Sequence, residues 1–483
     1  MQAIIEDIRN LLHTFSNDPV TGLEKIPQSG SNRVYFRLTT TTRSYIVTHG
    51  VNVQENKAFI YFSRHFRSRH CPVPEIYAVS DDETIYIQED FGDSSLLSRL
   101  EQQGHNAYVY GLFQQSLKAL AQLQIMGDDQ LDYSQCLTSK EFGKQAILSD
   151  MLYFKYYFLD TLEIPYDKEK LIGDFEAFST YLGHVDYKYF MFRDFQSRNI
   201  MIKDEKVHFI DYQGGMKGAL QYDVASMLWQ AKAELPDEWK NALLNHYMDC
   251  VEALLNKPID RVRFSSQYNG YVLIRLMQVL GAYGFRGLFE RKAHFLISIP
   301  LALRNLKWFQ ENKQVGIVLP EFERLLNLIV EEKLISRFEP IQATEKTPLV
   351  VHINSFSYRR EIPEDAQGNG GGFVFDCRGV LNPGRLETFK VLTGRDKEVK
   401  DYLEQQTKMP EFLNSVYDIV DISVEDYIKR GHGSLMVSFG CTGGQHRSVY
   451  AAEALARHLR NKFKVNITLR HVEQEAKQWV NGG

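Results

Sequence analysis

Apolar residues recur every three or four positions along much of the first three hundred residues, as they do on one face of a helix. This spacing predicts helices at 4–15, 55–65, 107–124, 143–161, 239–255, 268–283 and 292–309. Short segments rich in β-branched and aromatic residues predict strands at 34–38, 44–48 and 84–89. After residue 348 the pattern predicts strands at 349–354, 373–376 and 434–440, a helix at 448–460 and a strand at 465–469.

The length of the chain and the change of pattern near residue 340 predict two domains. At 483 residues the chain exceeds what a single hydrophobic core supports. A polar, proline-containing run at 337–348 separates the helical pattern from the strand pattern. We therefore expect a first domain at 1–335, a linker at 336–347 and a second domain at 348–479.

Composition and charge narrow the class of protein. Hydrophobic residues make up 44% and charged residues 24%, as in ordinary soluble proteins, and the net charge of −5 argues against a dedicated nucleic-acid binder. Five scattered cysteines without a C-x-x-C pair suit a reducing cytoplasm and offer no zinc site. The amphipathic, acidic N-terminus does not read as a signal peptide, and no apolar run approaches the length of a membrane span. We expect a cytoplasmic protein without a membrane partner.

The segment 190–211 carries the strongest candidate chemistry. An apolar lead-in ends at Asp194, Asn199 follows five residues later, and a predicted hairpin at 200–210 ends at Asp211. Phosphoryl transfer from a nucleotide needs one carboxylate to orient and deprotonate a hydroxyl, and an Asn and a second Asp to hold Mg²⁺. We interpret Asp194 as the catalytic base and Asn199 and Asp211 as metal ligands. The alternative is a surface hairpin with incidental acidic residues, because the spacing D-x4-N alone is common.

Several motifs in a fixed order give the first domain a family resemblance. They are S-G-S-N-R-V-Y-F-R at 29–37, E-D-F-G-D-S-S-L at 89–96, F-R-D-F-Q-S-R-N-I-M at 192–201, I-D-Y-Q-G-G at 210–215 and Y-D-V-A-S at 222–226. Together they resemble the aminoglycoside phosphotransferase superfamily, and within it the bacterial anomeric kinases of N-acetylmuramate and N-acetylglucosamine. The resemblance covers about residues 1–335. It implies an α+β, two-lobed protein-kinase-like fold, ATP with Mg²⁺, and a small hydroxylated acceptor such as a sugar or amino sugar.

The resemblance also implies where the nucleotide would bind. A polar loop before residue 34 would place backbone N–H groups against phosphates, although an ordinary hairpin is an equal alternative for a loop with one glycine. The strand end near residue 89 would link the lobes and bind adenine. The implied nucleotide-binding residues are Ser29, Gly30, Ser31, Asn32, Arg33, Arg37, Gln88, Glu89 and Asp90. Further along, Asp223 is expected to brace the catalytic loop.

Two departures from the kinase pattern stand out. Phe192 replaces the His that usually lies two residues before the catalytic Asp. That His mainly packs the loop, so an apolar residue is tolerated at this position. The predicted third strand at 44–48 has no lysine to pair with the nucleotide phosphates. Arg33 or Arg37 could supply the missing positive charge. Glu55 could be its acidic partner on the following helix, but we expect Glu55 to be a solvated surface residue.

The second chemical motif lies at 434–448, where a strand enters a glycine-rich turn and then a helix. Backbone N–H groups at such a helix start, beside the positive end of the helix dipole, form an oxyanion pocket. The glycines together with Thr442, His446 and Arg447 predict phosphate binding rather than a purely structural turn. The spacing from Cys441 to Arg447 also fits a cysteine phosphatase, in which a thiolate attacks phosphorus.

A second family resemblance covers about residues 348–475. It is carried by S-F-S-Y at 355–358, F-D-C-R at 375–378, L-N-P at 381–383, L-T-G at 392–394, G-C-T-G-G-Q-H-R-S at 440–448 and R-H at 470–471. These motifs resemble the C-terminal domain of the RNase adapter protein RapZ, which implies a smaller α/β domain that binds glucosamine-6-phosphate. The implied sugar-phosphate-binding residues are Asp376, Arg378, Cys441, Thr442, Gly443, Gly444, His446 and Arg447.

Two differences limit what this second resemblance implies. Gly384 stands where the adapter usually has His after its N-P pair, so the ligand could differ. The adapter's N-terminal P-loop is also missing, since no G-x4-G-K-[ST] motif occurs, and its role in RNA decay therefore does not carry over.

The sequence predicts an ATP-dependent small-molecule kinase fused to a domain that binds an amino-sugar phosphate and could regulate it. The alternative, from another class, is a nucleotide-binding pseudokinase that senses a metabolite and regulates a protein partner. The missing lysine favours the pseudokinase, whereas Asp194, Asn199 and Asp211 favour the kinase.

Overall fold

The computed structural model describes residues 2–26, 33–290, 293–296, 298–339, 341–365, 367–368 and 371–477. Internal contacts divide the chain into two compact units. The first unit comprises residues 1–282 and 301–334, and the second comprises residues 283–300 and 335–483.

The first unit begins with an antiparallel sheet that has a helix on each face. Helix α1 (Gln2–His13) precedes strands β1 (Val20–Ile26), β2 (Val34–Thr40) and β3 (Ser44–His49), and helix α2 (Val53–Ser68) precedes β4 (Ile76–Val79) and β5 (Ile85–Glu89). The strand order is β1-β2-β3-β5-β4. Ile85 and Ile87 pack in a cluster with α1, whereas Tyr86 points to the other face and stacks on Phe59 of α2. This alternation follows from the two-residue period of a strand.

The larger part of the first unit is helical. Its next helices are α3 (Leu96–Gln103), α4 (Ala107–Asp128), α5 (Lys144–Tyr157), α6 (Lys168–Gly183), α7 (Leu220–Leu228), α8 (Asp237–Leu255) and α9 (Arg261–Tyr283). Ser95 and Ser98 form a capping box that starts α3. Two antiparallel strand pairs lie between α6 and α7. They are β6 (Lys188–Met191) with β9 (Met216–Ala219), and β7 (Ile200–Lys203) with β8 (Lys206–Phe209).

The helix predicted at 292–309 is interrupted in the structure. Helix α10 (Ala293–Leu296) ends before α11 (Ile299–Asn312) begins, and α12 (Pro320–Ile329) and α13 (Glu332–Ile335) follow. Pro300 is the second residue of α11, where a helix needs no backbone donor. Proline is favoured in the first turn of a helix and disfavoured inside one, so a new helix starts at this position.

Contrary to the expectation from the sequence, one helical stretch among the described residues, 261–289, has the length and apolar composition of a membrane span. Half of its most apolar window is buried within the protein. Phe264, Tyr268, Tyr271 and Leu280 of α9 are each less than 4% exposed. This degree of burial is what the core helix of a helical lobe shows.

The second unit contains a four-stranded parallel sheet. Strands β10 (Val350–Ser357), β11 (Phe373–Asp376), β12 (Ser434–Cys441) and β13 (Asn466–His471) are arranged in the order β11-β12-β10-β13. Helices α14 (Lys397–Gln406), α15 (Met409–Arg430), α16 (Arg447–Phe463) and α17 (Val472–Ala476) complete the unit. Val351 and Ile353 of β10 share one buried core with Leu455 and Leu459 of α16 and Val420 of α15. Because strands β10, β11 and β12 are parallel, their carboxyl ends meet at one edge of the sheet.

The sequence analysis assigned no helix between 380 and 433, where α14 and α15 lie. The helical spacing is present in Leu413, Val416 and Val420, which are all buried. However, Ile419 and Ile422 on the same helix are 47% and 71% exposed. These exposed residues obscure the division of α15 into an apolar and a polar face.

Candidate functional site

The loop that carries Asp194 is held in place by aromatic packing. Strand β6 leads into Phe192, which is fully buried and packs edge-on against Phe195, Phe209 and Tyr212. The structure thus gives Phe192 the apolar packing role expected from the sequence. Arg193, between Phe192 and Asp194, has a backbone φ of +75°, in the left-handed region that non-glycine residues rarely adopt. Strained backbone of this kind occurs preferentially at functional sites.

Asp223 fixes the backbone of the same loop, as the sequence predicted. Its carboxylate accepts hydrogen bonds from the N–H groups of Phe192 and Arg193 at 2.8 and 2.9 Å, and from the Gln124 side chain at 2.8 Å. The carboxylate lies on α7 and is fully buried. Burial raises the pKa of Asp223 to about 7, although its three donors stabilise the ionised form.

Asn199 and Asp211 lie together beside the catalytic loop. The Asn199 amide donates to the main-chain oxygen of Asp194 at 2.9 Å and lies 3.4 Å from the Asp211 carboxylate. Asp211 has a backbone φ of +73°, so a second strained residue lies at this site. The β7–β8 hairpin between Asn199 and Asp211 sets their separation.

The donor atoms at this point fit a magnesium ion. A carboxylate and an amide supply the hard oxygen ligands that Mg²⁺ prefers, and kinase sites complete its shell with water and substrate phosphates. Among the described residues, no group of three His, Cys, Asp or Glu side chains could hold a metal alone. Asn199 and Asp211 therefore suit a cation that arrives with a nucleotide.

A buried arginine reaches the same carboxylate from the first sheet. Arg33 directly precedes β2, and its side chain is 7% exposed. Its Nη2 atom lies 3.3 Å from both Asp211 Oδ1 and Glu55 Oε1. Gln213 donates to Asp211 at 2.9 Å and lies 3.4 Å from Glu55. The expectation that Glu55 is a solvated surface residue was wrong, because Glu55 is 22% exposed and paired with Arg33.

Arg37 lies further along β2, at the strand connection expected to bind adenine. Its guanidinium pairs with Asp90 at 2.8 Å and with Asp93 at 2.8 Å. Lys203 donates to the main-chain oxygen of Asp90 at 2.8 Å. Gln88 and Glu89 end β5, next to this cluster. The remaining predicted nucleotide-binding residues, Ser29, Gly30, Ser31 and Asn32, lie outside the described residues.

A polar wall that the sequence analysis missed lies near Asp194. Asp150 of α5 accepts hydrogen bonds from Gln278 and from Arg193, the latter at 3.5 Å. Arg275 donates to Gln278 at 2.6 Å, and its charge interacts with Asp194. Burial raises the pKa of the Asp150 carboxyl. The parts of the wall come from α5, α9 and the catalytic loop, so no local motif reveals it.

In the second unit, the predicted phosphate loop follows β12. The Cys441 sulfur accepts a hydrogen bond from the Gly444 N–H at 3.2 Å and lies 3.1 Å from the Ser448 hydroxyl. Gly444 has a φ of +64°, which glycine adopts without strain. A side chain on Gly443 would meet open space. The loop therefore turns its backbone around Cys441 and leads directly into α16.

Arg447 and His446 hold the surroundings of this loop together. Arg447 Nη1 donates to the main-chain oxygens of Arg378 and Val380 at 3.2 and 2.7 Å, and its Nη2 lies 3.4 Å from Thr442 Oγ1. Arg447 is 4% exposed, and its Nε–H has no hydrogen-bond partner within the described ranges. His446 donates to the Phe389 main-chain oxygen at 2.8 Å, which defines the orientation of its ring.

Asp376 and Arg378 lie at the carboxyl end of β11, beside the loop. The two side chains pair at 2.7 Å, and the Arg378 guanidinium stacks on the Tyr358 ring at 4.0 Å. Arg378 holds the pKa of the Asp376 carboxyl below its usual value. A side chain at Gly384 would lie 3.2 Å from the His446 ring, so Gly384 leaves space beside that ring where the adapter usually has His. The structure thus brings the predicted sugar-phosphate residues to one edge of the sheet.

These two units define a class of protein: a two-lobed, kinase-like phosphotransferase domain followed by a smaller domain with a parallel sheet. The model of the phosphotransferase enzyme family matches residues 22–254, and the model of the RapZ C-terminal domain matches residues 349–475. The first part of the chain thus carries a phosphotransferase domain, and the second part carries a RapZ C-terminal domain. The predicted resemblances of the first part to the aminoglycoside phosphotransferases and of the second part to the RapZ C-terminal domain are confirmed.

Curated relatives match part of the chain. A nucleotide-binding protein of Fusobacterium nucleatum is 32% identical over 215 residues, covering 42% of this chain and 69% of the relative. A nucleotide-binding protein of Fervidobacterium nodosum is 32% identical over 195 residues, covering 38% of this chain and 67% of the relative. The chain spans about one third to about two thirds of the length of the curated relatives it matches.

The solved structures that the chain matches are distant in sequence. A putative aminoglycoside phosphotransferase from Ralstonia eutropha is 15% identical with a TM-score of 0.44, covering 64% of this chain and 99% of that one. A choline kinase from Cryptosporidium parvum is 12% identical with a TM-score of 0.45, covering 69% and 98%. An amicoumacin kinase in complex with AMP-PNP, Ca²⁺ and Ami is 12% identical with a TM-score of 0.46, covering 66% and 96%.

Proposed function

We propose that the chain is an ATP- and Mg²⁺-dependent phosphotransferase for a small hydroxylated acceptor, with an amino sugar as the expected acceptor. The observation that carries this proposal is the proximity of Asn199 and Asp211 to each other and to the loop of Asp194, which the buried Asp223 fixes. The match of residues 22–254 to the model of the phosphotransferase enzyme family supports the same reaction class.

Each group has a role that its chemistry permits. Asp194 follows Arg193 of the polar wall and would orient an acceptor hydroxyl and take its proton. Asn199 and Asp211 would hold Mg²⁺, which neutralises charge on the transferred phosphoryl group when it is bound.

The alternative of a pseudokinase rested on the missing lysine of the third strand. The buried Arg33 beside Asp211 weakens that argument, because it places a permanent positive charge at the site.

Nucleotide turnover tests this proposal. ADP release from ATP and Mg²⁺ is measured with the full chain alone and with each member of a panel of hexosamines and N-acylhexosamines. With a good acceptor, enzymes commonly turn over at about 1–10³ s⁻¹. We therefore expect at least one acceptor to raise the rate of ADP release about 100-fold or more over the rate without acceptor. A chain that binds ATP but shows no acceptor-dependent release would favour the pseudokinase.

We further propose that the second unit binds an amino-sugar phosphate such as glucosamine-6-phosphate. The loop at the start of α16, the open space at Gly443 and the stacked Arg378 support this proposal. An anion at a helix start gains from free backbone N–H groups and the helix dipole. With both units acting in one amino-sugar pathway, this site would sense a product or an intermediate of that pathway.

A matched pair of glycine substitutions tests this second site. Gly443→Glu places a carboxylate in the loop at a position where an added Cβ atom meets nothing within 4 Å. It should weaken glucosamine-6-phosphate binding about 10-fold or more through like-charge repulsion. Gly433→Glu makes the same change in open space at the other end of β12 and should leave binding unchanged. Titration calorimetry on the full chain measures both. Equal affinity in the two variants would place the ligand elsewhere.

A further inference from the structure

The third strand of this kinase-like unit lacks the lysine that kinases use to pair with nucleotide phosphates. Thr48 of β3 is fully buried and lies between Tyr35 of β2 and Tyr86 of β5 in the register of the sheet. The positive charge must therefore come from another element if the nucleotide phosphates are to be neutralised by the first sheet.

Arg33 is the arginine whose contacts match those of such a lysine. Its guanidinium lies 3.3 Å from Glu55 on α2 and 3.3 Å from Asp211 after the β7–β8 hairpin. In kinases the lysine joins an acidic residue of the corresponding helix to the phosphates, next to the Asp that holds the metal. Arg37 does not qualify, because it pairs with Asp90 and Asp93 at the strand connection.

The local structure makes room for the Arg33 side chain. Gly50 follows β3, and a Cβ atom built there would lie 3.2 Å from Arg33 Cγ and 2.6 Å from Asn56 Oδ1. Asn56 cannot easily move away, because its amide nitrogen donates to the main-chain oxygens of Gly50 and Glu83 at 2.8 Å. The absence of a side chain at Gly50 thus lets the buried stem of Arg33 pass from the first sheet to Glu55 and Asp211.

We propose that Arg33 binds the nucleotide phosphates, so that the phosphate-binding cation has moved from the third strand to the start of the second. This assignment rests on the proposed ATP-dependent function. A guanidinium that touches the carboxylate of Asp211 lies next to any phosphate that shares a metal ion with that carboxylate. Glu55 and Gln213 hold the Arg33 guanidinium and the Asp211 carboxylate at this distance.

The test compares a phosphorylated and an unphosphorylated ligand. ATP with Mg²⁺ and adenosine are each titrated into the full chain and into Arg33→Met and Arg33→Lys. Arg33→Met should weaken ATP binding about 10- to 100-fold, as expected for loss of a charge-assisted hydrogen bond, and change adenosine binding less than about 2-fold. Arg33→Lys keeps the charge and should bind ATP more tightly than Arg33→Met.

The control variant is Lys57→Met, which removes an exposed cation of α2 that pairs with Glu83. Its ATP and adenosine affinities should equal those of the unmodified chain. If Arg33→Met does not fold, as judged by circular dichroism, Arg33→Gln replaces it in the same comparison of ATP and adenosine affinities. The amide of this variant can still donate to Glu55 and Asp211, which supports folding.

Three results would overturn the assignment. Unchanged ATP affinity in the Arg33 variants would show that the phosphates are bound elsewhere. An equal loss for ATP and adenosine would show that Arg33 only maintains the shape of the site. Failure of the unmodified chain to bind ATP at all would refute the proposed function, and the assignment with it.

Discussion

Replacement of Asp194 by Asn is expected to lower kcat by about 10³-fold or more while leaving ATP affinity within about 2-fold. The amide keeps the size of the carboxylate but cannot accept the proton of the acceptor hydroxyl. Asn199 and Asp211, which would hold the Mg²⁺ of the nucleotide, are unchanged in this variant. Steady-state turnover with the best acceptor and calorimetric titration of ATP measure the two effects separately.

The matched control is Asp204→Asn, in the exposed turn of the β7–β8 hairpin. Asp204 has a φ of +51°, a conformation that Asn also tolerates, so the hairpin should keep its structure. The kcat of the Asp204→Asn variant should remain close to that of the unmodified chain. Substantial activity in the Asp194 variant would remove Asp194 from the reaction.

Replacement of Asp223 by Ala is expected to cost about 3–5 kcal/mol of stability and to abolish turnover. The substitution leaves the N–H groups of Phe192 and Arg193 and the Gln124 amide without their buried acceptor. An unsatisfied buried donor costs about 1–3 kcal/mol, and the three losses overlap because the loop relaxes. Loss of the brace also frees the backbone that positions Asp194. Chemical denaturation followed by circular dichroism measures the stability change.

Asp82→Ala provides the control for this prediction. Asp82 also accepts three hydrogen bonds, from the Ser80 hydroxyl and from the N–H and hydroxyl of Thr84, but it is exposed to solvent. Water replaces the lost acceptor at such a site, so the free energy of unfolding should stay close to that of the unmodified chain. Similar costs for the two variants would mean that burial of Asp223 contributes little to holding the loop.

The sequence predicted the parts of the first unit that form continuous motifs. Asp194, Asn199 and Asp211 lie within eighteen residues, and the hairpin between them has a clear strand pattern, so their proximity followed from local structure. The role of Asp223 was also predicted, and its hydrogen bonds to the catalytic loop confirm it. These relationships depend on the spacing of residues that lie close together in the chain, and one sequence alone shows that spacing.

Contacts between distant segments were not predicted in the same way. Glu55 lies on the first turn of α2, where an exposed residue is the usual expectation, and only the folded sheet brings Arg33 to it. Asp150, Arg275 and Gln278 stand on two helices more than one hundred residues apart. A pair of residues at that separation leaves no periodic signal, so tertiary packing alone reveals it.

The second unit shows the same division. The loop after β12 and the strand end at Asp376 were predicted from their motifs, and the parallel sheet brings them to one edge. The arrangement of Arg447 was not predicted. Its Nη1 atom donates to main-chain oxygens near Arg378, so this arginine holds the neighbouring segment as well as facing Thr442. Only the Thr442 side of its guanidinium is directed to the predicted phosphate loop.

The central claim is that this chain transfers a phosphoryl group from ATP to a small hydroxylated acceptor. Mass spectrometry of the acceptor after incubation with ATP, Mg²⁺ and the full chain, in parallel with Asp194→Asn, tests it most directly. We predict an acceptor whose mass increases by one phosphoryl group with the unmodified chain and stays unchanged with the variant. An acceptor panel that remains unphosphorylated while ATP binds, or equal product from both proteins, would contradict the claim.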